Sequence, residues 1–226
     1  MTEAWCVLRS GGEYSSQHVA RLSAQVERHG GGRLHCLTDT PWAVADTTAH
    51  SVAVEPMHLD WPGWFAKLEL YLRPGPILYL DLDTNIIGPL DAMLAAVETR
   101  DLIVARNWHA TMSAEHVIST AVVGWRGDAS SLARQFATDP AGYQVRYGDR
   151  RRWREPGRGW GDQGFVRDHW QGERWAFWQD ILPTAMEHFK YGQPAEADAL
   201  IVSGGKPRPW DPGGADDWLR ARGFKV

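Results

Sequence analysis

Short apolar segments and segments with helical periodicity alternate along the first half of the chain. The segment AWCVLR (4–9) is typical of a buried strand, and apolar residues recur at helical spacing within residues 15–30 before a run of glycines. The same alternation continues, with strand patterns at 33–39, 77–86 and 101–106 and helical patterns at 64–72 and 88–98. Strands that alternate with helices form a sheet with helices on its faces, so the sequence predicts an α/β fold.

The second half of the chain is less regular. Strand patterns occur at 116–126 and from residue 199, and helical patterns occur at 129–138 and 161–170. A segment rich in Arg, Gly and Tyr at 140–160 is predicted to be a long loop. The sequence shows no internal repeat, low-complexity tract or linker, and 226 residues suffice for one α/β domain. We therefore predict a single domain spanning residues 1–226.

The composition argues against several classes of protein. A formal net charge of −4 does not favour a general polyanion-binding protein. No apolar run approaches the length of about 18 residues that indicates a transmembrane segment. The N-terminus, MTEAWCVLRSGG, lacks the pattern of a secretory signal. Cys6 and Cys36 lie in apolar segments without metal-ligand spacing, which predicts buried thiols in a cytoplasmic protein.

Two acids stand at the end of the most apolar strand pattern, ILYLDLDTNI (77–86). Residues two apart on a strand project from the same face at a separation of about 7 Å, so Asp81 and Asp83 could share one divalent cation. Carboxylate oxygens suit Mg²⁺ or Mn²⁺, and ligands bind at the carboxyl ends of strands in open α/β sheets. The alternative is an acidic turn, with Asp91 or Thr84 as the local hydrogen-bond partner.

Several motifs occur in a specific order. Residues 64–91, WFAKLELYLRPGPILYLDLDTNIIGPLD, combine a lysine-bearing helix, a proline break and a DxD strand, and STAVVGWR (119–126), GDQGFV (161–166) and GGKPRPW (204–210) follow. Together they resemble the GT-A nucleotide-sugar glycosyltransferases, especially family eight, which includes glycogenin and bacterial galactosyltransferases. The resemblance spans about residues 4–211. It implies a single GT-A type domain with a mostly parallel, Rossmann-like mixed sheet flanked by helices.

The resemblance implies a metal-dependent, retaining glycosyltransferase that uses a nucleotide-sugar donor, most often a UDP-sugar. Residues 1–106 would form the nucleotide-binding part, and residues 107–226 the acceptor and closing-loop part. Asp81 and Asp83 would hold Mn²⁺ or Mg²⁺ on the donor diphosphate, whereas Asp162 and Gln163 would lie at the transferred sugar. The residues predicted to contact the nucleotide are Arg9, Ser10, Gly11, Asp39, Lys67, Leu82, Asn107, Gly205, Lys206 and Arg208.

Each of these roles has a structural alternative. Asp162 is also well suited to cap a helix, and Lys67 could be a surface lysine. Lys206 and Arg208 could lie in an exposed loop, although two cations beside glycines suit a departing diphosphate.

Three positions depart from the family pattern. Gly204 stands where the closing motif carries the histidine that is the third protein ligand of the metal. Water or a nearby group must therefore complete the coordination shell, or the metal binds more weakly. Ser119 stands where the family often has asparagine, and Asn107 follows the strand pattern at 101–106 where related chains often carry an acid.

Arginines and aromatic residues concentrate between residues 146 and 160. They are Arg146, Tyr147, Arg150, Arg151, Arg152, Trp153, Arg154, Arg158 and Trp160. This mixture suits an anionic acceptor that bears rings, such as a glycan, a lipopolysaccharide core or a nucleic-acid base. The alternative is a solvated loop whose arginines pair with Asp149, Glu155 and Asp162. The chain also has thirteen tryptophans. They could stack on sugars or bases, or they could pack in the core.

Two other functions stay open on the sequence alone. A degenerate glycosyltransferase that binds a nucleotide-sugar without turnover would explain Gly204. A phosphohydrolase of the DxDxT type resembles DLDTN, but that class expects Thr or Val where Asn85 stands and a second acidic cluster downstream of a lysine.

Overall fold

The main sheet of the molecule has seven strands. The computed structural model describes residues 1–107, 118–149, 159–172, 175–189, 197–203 and 205–226. The strands are β1 (Glu3–Leu8), β2 (His35–Thr38), β3 (Ala53–Pro56), β4 (Ile77–Leu80), β6 (Leu102–Arg106), β7 (Ile118–Trp125) and β8 (Ala176–Phe177). Their order is β3-β2-β1-β4-β7-β6-β8, and only β7 runs antiparallel to its neighbours, β4 and β6. This confirms the predicted mostly parallel mixed sheet.

A second sheet of three strands stands beside the end of β4. Its strands are β5 (Thr84–Ile86), β9 (Met186–Phe189) and β10 (Leu200–Ser203), in the order β5-β10-β9. Because β5 begins directly after Asp83 and pairs antiparallel with β10, the segment after β10 returns to the two acids. The small sheet therefore brings the C-terminal part of the chain to the carboxyl edge of the main sheet.

Helices cover both faces of the main sheet. They are α1 (Ser16–Arg28), α2 (Pro41–Thr47), a 3₁₀ helix (Gly63–Leu72), α3 (Asp91–Val97), α4 (Ser130–Ala137), α5 (Pro140–Gly148), α6 (Gly161–His169), α7 (Trp178–Ile181) and α8 (Ala215–Arg220). No helix in the described ranges is long and apolar enough to cross a membrane.

Alternate residues of each central strand enter different cores. In β1, Cys6 packs in the core that contains α1 and α3, whereas Trp5 packs in the core that contains the 3₁₀ helix, α4 and α6. Leu78 and Tyr79 divide in the same way in β4. A strand covered on both faces needs apolar residues at every position, which explains its continuous apolar run. Cys6 and Cys36 are both fully buried and both free, so the predicted burial of the two thiols is confirmed.

The prediction of a long loop at 140–160 is wrong for its first part, which forms α5. Asp139 begins this helix by accepting a hydrogen bond from the Gly142 amide at 3.0 Å, and Pro140 occupies the first turn. The arginine-rich residues 150–158 lie outside the described ranges. The strand predicted at 77–86 is also divided, because β4 ends at Leu80 and a turn separates it from β5.

Candidate active site

A cleft of about 1000 Å³ opens at the carboxyl ends of β1 and β4. It is lined by the loop after β1, the turn after β4, the start of α6 and the segment after β10. The predicted site residues that line it are Arg9, Ser10, Gly11, Lys67, Asp81, Leu82, Asp83, Asn107, Asp162, Gln163, Gly205 and Arg208. Ser119 also lines the cleft, whereas Gly204 lies outside the described residues.

Two residues predicted to contact the nucleotide do not line the cleft. Asp39 lies behind the loop after β1, where its carboxylate accepts hydrogen bonds from the Ser10 amide at 2.9 Å and the Ser10 hydroxyl at 2.5 Å. It also pairs with Arg9 at 3.4 Å, so it fixes this loop. The side chain of Lys206 is 71% exposed and pairs with Glu13 at 3.1 Å.

Asp81 and Asp83 lie in the turn between β4 and β5 and not on one face of a strand, as the sequence suggested. The Asp81 amide still donates to the Ala121 carbonyl of β7 at 2.8 Å, and the chain then turns, with the Thr84 amide donating to the Asp81 carbonyl at 3.1 Å. Neither acid takes the local side-chain partners considered above. Asp83 is held by residues distant in sequence, whereas Asp81 is held by Lys67 and by the nearby Tyr79.

One carboxylate oxygen of each acid accepts hydrogen bonds from the protein, and the other accepts none from another described residue. Asp81 Oδ1 accepts from Lys67 Nζ at 3.2 Å and from the Tyr79 hydroxyl, whereas Asp83 Oδ2 accepts from the Tyr14 hydroxyl at 2.8 Å and Arg208 Nη1 at 2.7 Å. Among the described residues, no donor from another residue reaches Asp81 Oδ2 or Asp83 Oδ1. These two oxygens could bind a ligand without breaking the contacts that orient the acids.

The pair fits a hard divalent cation that keeps several waters. Mg²⁺ and Mn²⁺ accept one or two protein carboxylates when substrate phosphates and water fill the remaining positions. Within the ranges that the structure describes, no group of three or more His, Cys, Asp or Glu side chains is placed to hold a metal. In those ranges Asp81 and Asp83 would therefore hold such a cation without a third His, Cys, Asp or Glu side chain.

A buried charge cluster, Lys67, Asp81, Thr120 and Asp162, forms the floor of the cleft. Lys67 Nζ lies 3.2 Å from Asp81 Oδ1 and 3.1 Å from Asp162 Oδ2, and the Thr120 hydroxyl also donates to Asp162. Lys67 is 9% exposed and Asp162 5%, which contradicts the alternative of a surface lysine. Asp162 lies in the first turn of α6, but its side chain caps no helical amide. One lysine thus links the DxD turn to the acid predicted to lie at the sugar.

Burial and neighbouring charges shift the pKa values of Asp162, Lys67 and Asp83. Burial raises the pKa of Asp162 above its usual value, although Lys67 and Thr120 oppose the shift. Burial alone would lower the pKa of Lys67, but the charges of Asp162 and Asp81 outweigh it and raise the pKa. Burial and then the charge of Asp81 raise the pKa of Asp83 to about 6, against the opposing effects of Arg208 and Tyr14. A bound cation would relieve this repulsion between the two acids.

A second charge cluster, Glu13, Lys206 and Arg208, forms the rim, where Glu13 and Lys206 are exposed and Arg208 is 20% exposed. Glu13 belongs to the loop between β1 and α1, and the two cations belong to the segment after β10. Glu13 Oε2 accepts from Arg208 Nη2 at 2.7 Å and from Arg208 Nε at 2.9 Å, and Glu13 Oε1 pairs with Lys206 at 3.1 Å. Because Arg208 also donates to Asp83, the rim is joined to the DxD turn.

Two tryptophans form part of the cleft wall next to Asp162 and Gln163. The rings of Trp64 and Trp160 meet edge to face with centroids 4.4 Å apart, and Trp64 is 43% exposed. Gln163 lines the cleft beside them, in the first turn of α6.

Solved structures of similar fold are glycosyltransferases. The galactosyltransferase LgtC, in complex with donor and acceptor sugar analogues, superposes with a TM-score of 0.63 at 12% identity, covering 100% of this chain and 97% of LgtC. Mouse xyloside xylosyltransferase 1 gives 0.51 at 11% identity, covering 92% and 99% of the two chains. GlyE of Streptococcus pneumoniae gives 0.55 at 9% identity, covering 100% of this chain and 65% of GlyE.

The chain has the GT-A glycosyltransferase fold. The sequence itself matches no protein-family model and no curated protein. In this GT-A fold the cleft lies at the edge of the sheet where the predicted motifs converge.

Sequence reasoning missed four side chains of this GT-A cleft. Tyr14, Tyr79 and Thr120 donate hydrogen bonds to its acids, and Glu13 pairs with its cations. Tyr79 offered a signal, since it lies two residues before Asp81 in the predicted strand 77–86, where residues two apart share a face. Tyr14 and Glu13 follow the glycines after β1, where a ligand-facing loop was expected. Tyr14 is 69 residues from Asp83, so only the fold reveals the contact.

Proposed function

We propose that the protein is a glycosyltransferase that takes a sugar from a nucleotide-sugar donor. The family resemblance favours a UDP-sugar as that donor. The observation that carries the proposal is the arrangement of Asp81 and Asp83 in a GT-A cleft. Each acid is fixed through one oxygen and presents the other, and Lys67 joins this turn to Asp162. The volume of about 1000 Å³ is large enough for a nucleotide-sugar together with part of an acceptor.

Asp81 and Asp83 are the residues that would hold Mn²⁺ or Mg²⁺. When bound, the cation supplies charge neutralisation to the donor diphosphate as the sugar–phosphate bond breaks. Tyr79 and Lys67 orient Asp81 through Oδ1, and Tyr14 and Arg208 orient Asp83 through Oδ2. The loop of Arg9, Ser10 and Gly11 would face the nucleoside, with Asp39 supporting it from behind.

Asp162 and Gln163 are assigned to the transferred sugar. Lys67 and Thr120 hold one oxygen of Asp162, which leaves its carboxylate fixed in orientation at the cleft floor. A fixed carboxylate can accept hydrogen bonds from sugar hydroxyls and stabilise positive charge at the anomeric carbon in the transition state. We propose retention of configuration, in line with the family resemblance, with no covalent attachment required.

The acceptor is proposed to carry a ring. Trp64 and Trp160 present aromatic surface to the cleft beside Gln163, which suits a glycan, a lipopolysaccharide sugar or a nucleic-acid base. The arginines at 150–158 proposed to contact an anionic acceptor lie outside the described residues. A cytoplasmic location remains part of the proposal and is supported by the two free, buried thiols.

One observation favours the second candidate, a nucleotide-sugar-binding module without turnover. Arg208 already donates to Asp83 at 2.7 Å, so one acid of the pair is partly neutralised by the protein. The phosphohydrolase alternative has no support from the fold, because the similar structures named above are glycosyltransferases.

A turnover assay separates the two candidates. The protein is incubated with UDP-, GDP- and dTDP-sugars, with Mn²⁺ or with EDTA, and release of the nucleoside diphosphate is measured. We expect slow, Mn²⁺-dependent hydrolysis of one donor even without an acceptor. Binding of a donor without any release would favour the module, and the absence of both binding and release across the panel would refute both candidates.

A further inference from the structure

The rim holds a carboxylate of the protein where an anionic ligand would be expected. Glu13 forms an ion pair with Lys206 through Oε1 and accepts hydrogen bonds from Arg208 through Oε2. A phosphate oxygen would choose the same donors, because guanidinium and ammonium groups bind carboxylates and phosphates in the same way. The contact therefore stands in place of a ligand contact.

The charges of this region cancel. Glu13 and Asp83 are negative, Lys206 and Arg208 are positive, and all four are joined through Arg208 and Glu13. Hydrogen bonds from Arg208 and Lys206 lower the pKa of Glu13, which keeps it ionised. Neither cation is thus left unpaired for an incoming anion while Glu13 is in place.

The loop that carries Glu13 has open space beside its glycines. It follows Gly11, whose φ of +84° suits glycine, and a side chain added at Gly11 or Gly12 would meet no atom within 4 Å. The side chain of Glu13 is 48% exposed, so water already reaches about half of it. Only ion pairs at the surface oppose its release, and such pairs are weak.

We propose that Glu13 is a built-in competitor of the donor, which an incoming diphosphate must displace from Lys206 and Arg208. This inference rests on the proposed function for the identity of the natural ligand, but not for the competition itself. Displacement would free both cations for the diphosphate while Arg208 keeps its contact with Asp83. Because apparent affinity falls by the fraction of molecules that are competent to bind, removing the competitor should tighten anion binding.

The test uses inorganic pyrophosphate as the probe, in EDTA, by calorimetry on the full chain. Glu13→Gln and Glu13→Ala should bind pyrophosphate about three- to ten-fold more tightly than the wild type, the effect expected of two exposed ion pairs. Glu55→Gln is the matched control, since Glu55 pairs with Arg73 and does not line the cleft. It changes the net charge equally and should leave the affinity unchanged.

The sign of the effect distinguishes competition from a supporting role. If Glu13 merely holds Arg208 in position for the ligand, both Glu13 variants would bind pyrophosphate more weakly, and this would overturn the inference. Unchanged affinity, or no binding by any variant, would overturn it as well.

The salt dependence of pyrophosphate affinity gives a second measurement. A purely supporting role of Glu13 would not change it. The wild type exchanges one set of ion pairs for another on binding, whereas Glu13→Gln forms new ones. The affinity of Glu13→Gln should therefore fall more steeply between about 0.05 and 0.3 M NaCl. Equal slopes in the two proteins would count against displacement.

A parallel titration with UDP-sugars keeps this inference separable from the proposed function. Tighter pyrophosphate binding without binding of any nucleotide-sugar would leave the competition standing and remove the proposed function. Turnover of a donor by the wild type, together with equal pyrophosphate affinity in the Glu13 variants, would support the proposed function and refute the competition.

Discussion

The floor and the rim of the cleft use the same charged groups in opposite proportions. In the floor one cation, Lys67, serves two acids, Asp81 and Asp162, and it is 9% exposed. In the rim one acid, Glu13, serves two cations, and the side chains of Glu13 and Lys206 are 48% and 71% exposed. Both clusters border the same pair of carboxylates.

The two clusters differ in burial, and we expect them to differ in role for that reason. A buried ion pair is strongly destabilised when one partner is removed, because a charge is left without solvent or counter-ion. An exposed pair contributes little and exchanges readily with other ions. The floor is therefore suited to hold the Asp81 and Asp162 carboxylates in fixed positions. The rim is suited to release Glu13 so that a ligand can pair with Lys206 and Arg208.

The largest expected effect comes from removing the lysine of the floor. Lys67→Met should lower the free energy of unfolding by about 3 kcal/mol at pH 8, because Asp162 loses its counter-ion in a buried site. Lys206→Met, the same substitution in the rim, should cost less than about 1 kcal/mol. Urea titrations of the two variants measure both values. Equal losses would contradict the distinction between floor and rim.

An effect of at most the same size is expected from the pH dependence of the metal-free protein. The pKa of Asp83 is raised to about 6, so the folded state retains a proton that the unfolded chain releases near its usual value. Stability should therefore decrease as the pH rises from about 4 to about 6, by up to about 3 kcal/mol from this group. Unfolding in EDTA across this range should show a shallower decrease for Asp83→Asn. An identical slope in the variant would show that Asp83 is not the group responsible.

The smallest expected effect is on the stability of the rim itself. Glu13→Gln should shift the melting temperature by less than about 3 °C, because only exposed ion pairs are lost. The same variant is expected to change pyrophosphate affinity, so the rim would affect binding more than folding. A large loss of stability would instead place Glu13 among the structural residues.

Local pattern was sufficient to predict much of the fold. Strands such as β1 and β4 and helices such as α1 follow from periodicity, since each buries a defined set of side chains. Helix α5 was missed because its glycines, tyrosines and valine have weak helical propensity. Tyr143 and Tyr147 nevertheless lie four residues apart and pack against Phe165, so tertiary contact stabilises the helix.

The candidate site could be predicted only in part, for a different reason. Asp81, Asp83 and Asp162 were found because motifs mark them. Their partners are remote in sequence, as with Arg208, which lies 125 residues from Asp83. The strands β5 and β10 that create this contact are three and four residues long, too short to carry a periodic signal.

The most direct test of the proposed function is donor binding by calorimetry in the presence of Mn²⁺. The wild type should bind one of the UDP-, GDP- or dTDP-sugars more tightly with Mn²⁺ than with EDTA. Asp83→Asn should lose that Mn²⁺-dependent gain, whereas Asp91→Asn, an equal change of charge away from the cleft, should keep it. Folded wild-type protein that binds no nucleotide-sugar in Mn²⁺, or an Asp83→Asn variant that keeps the full gain, would contradict the assignment.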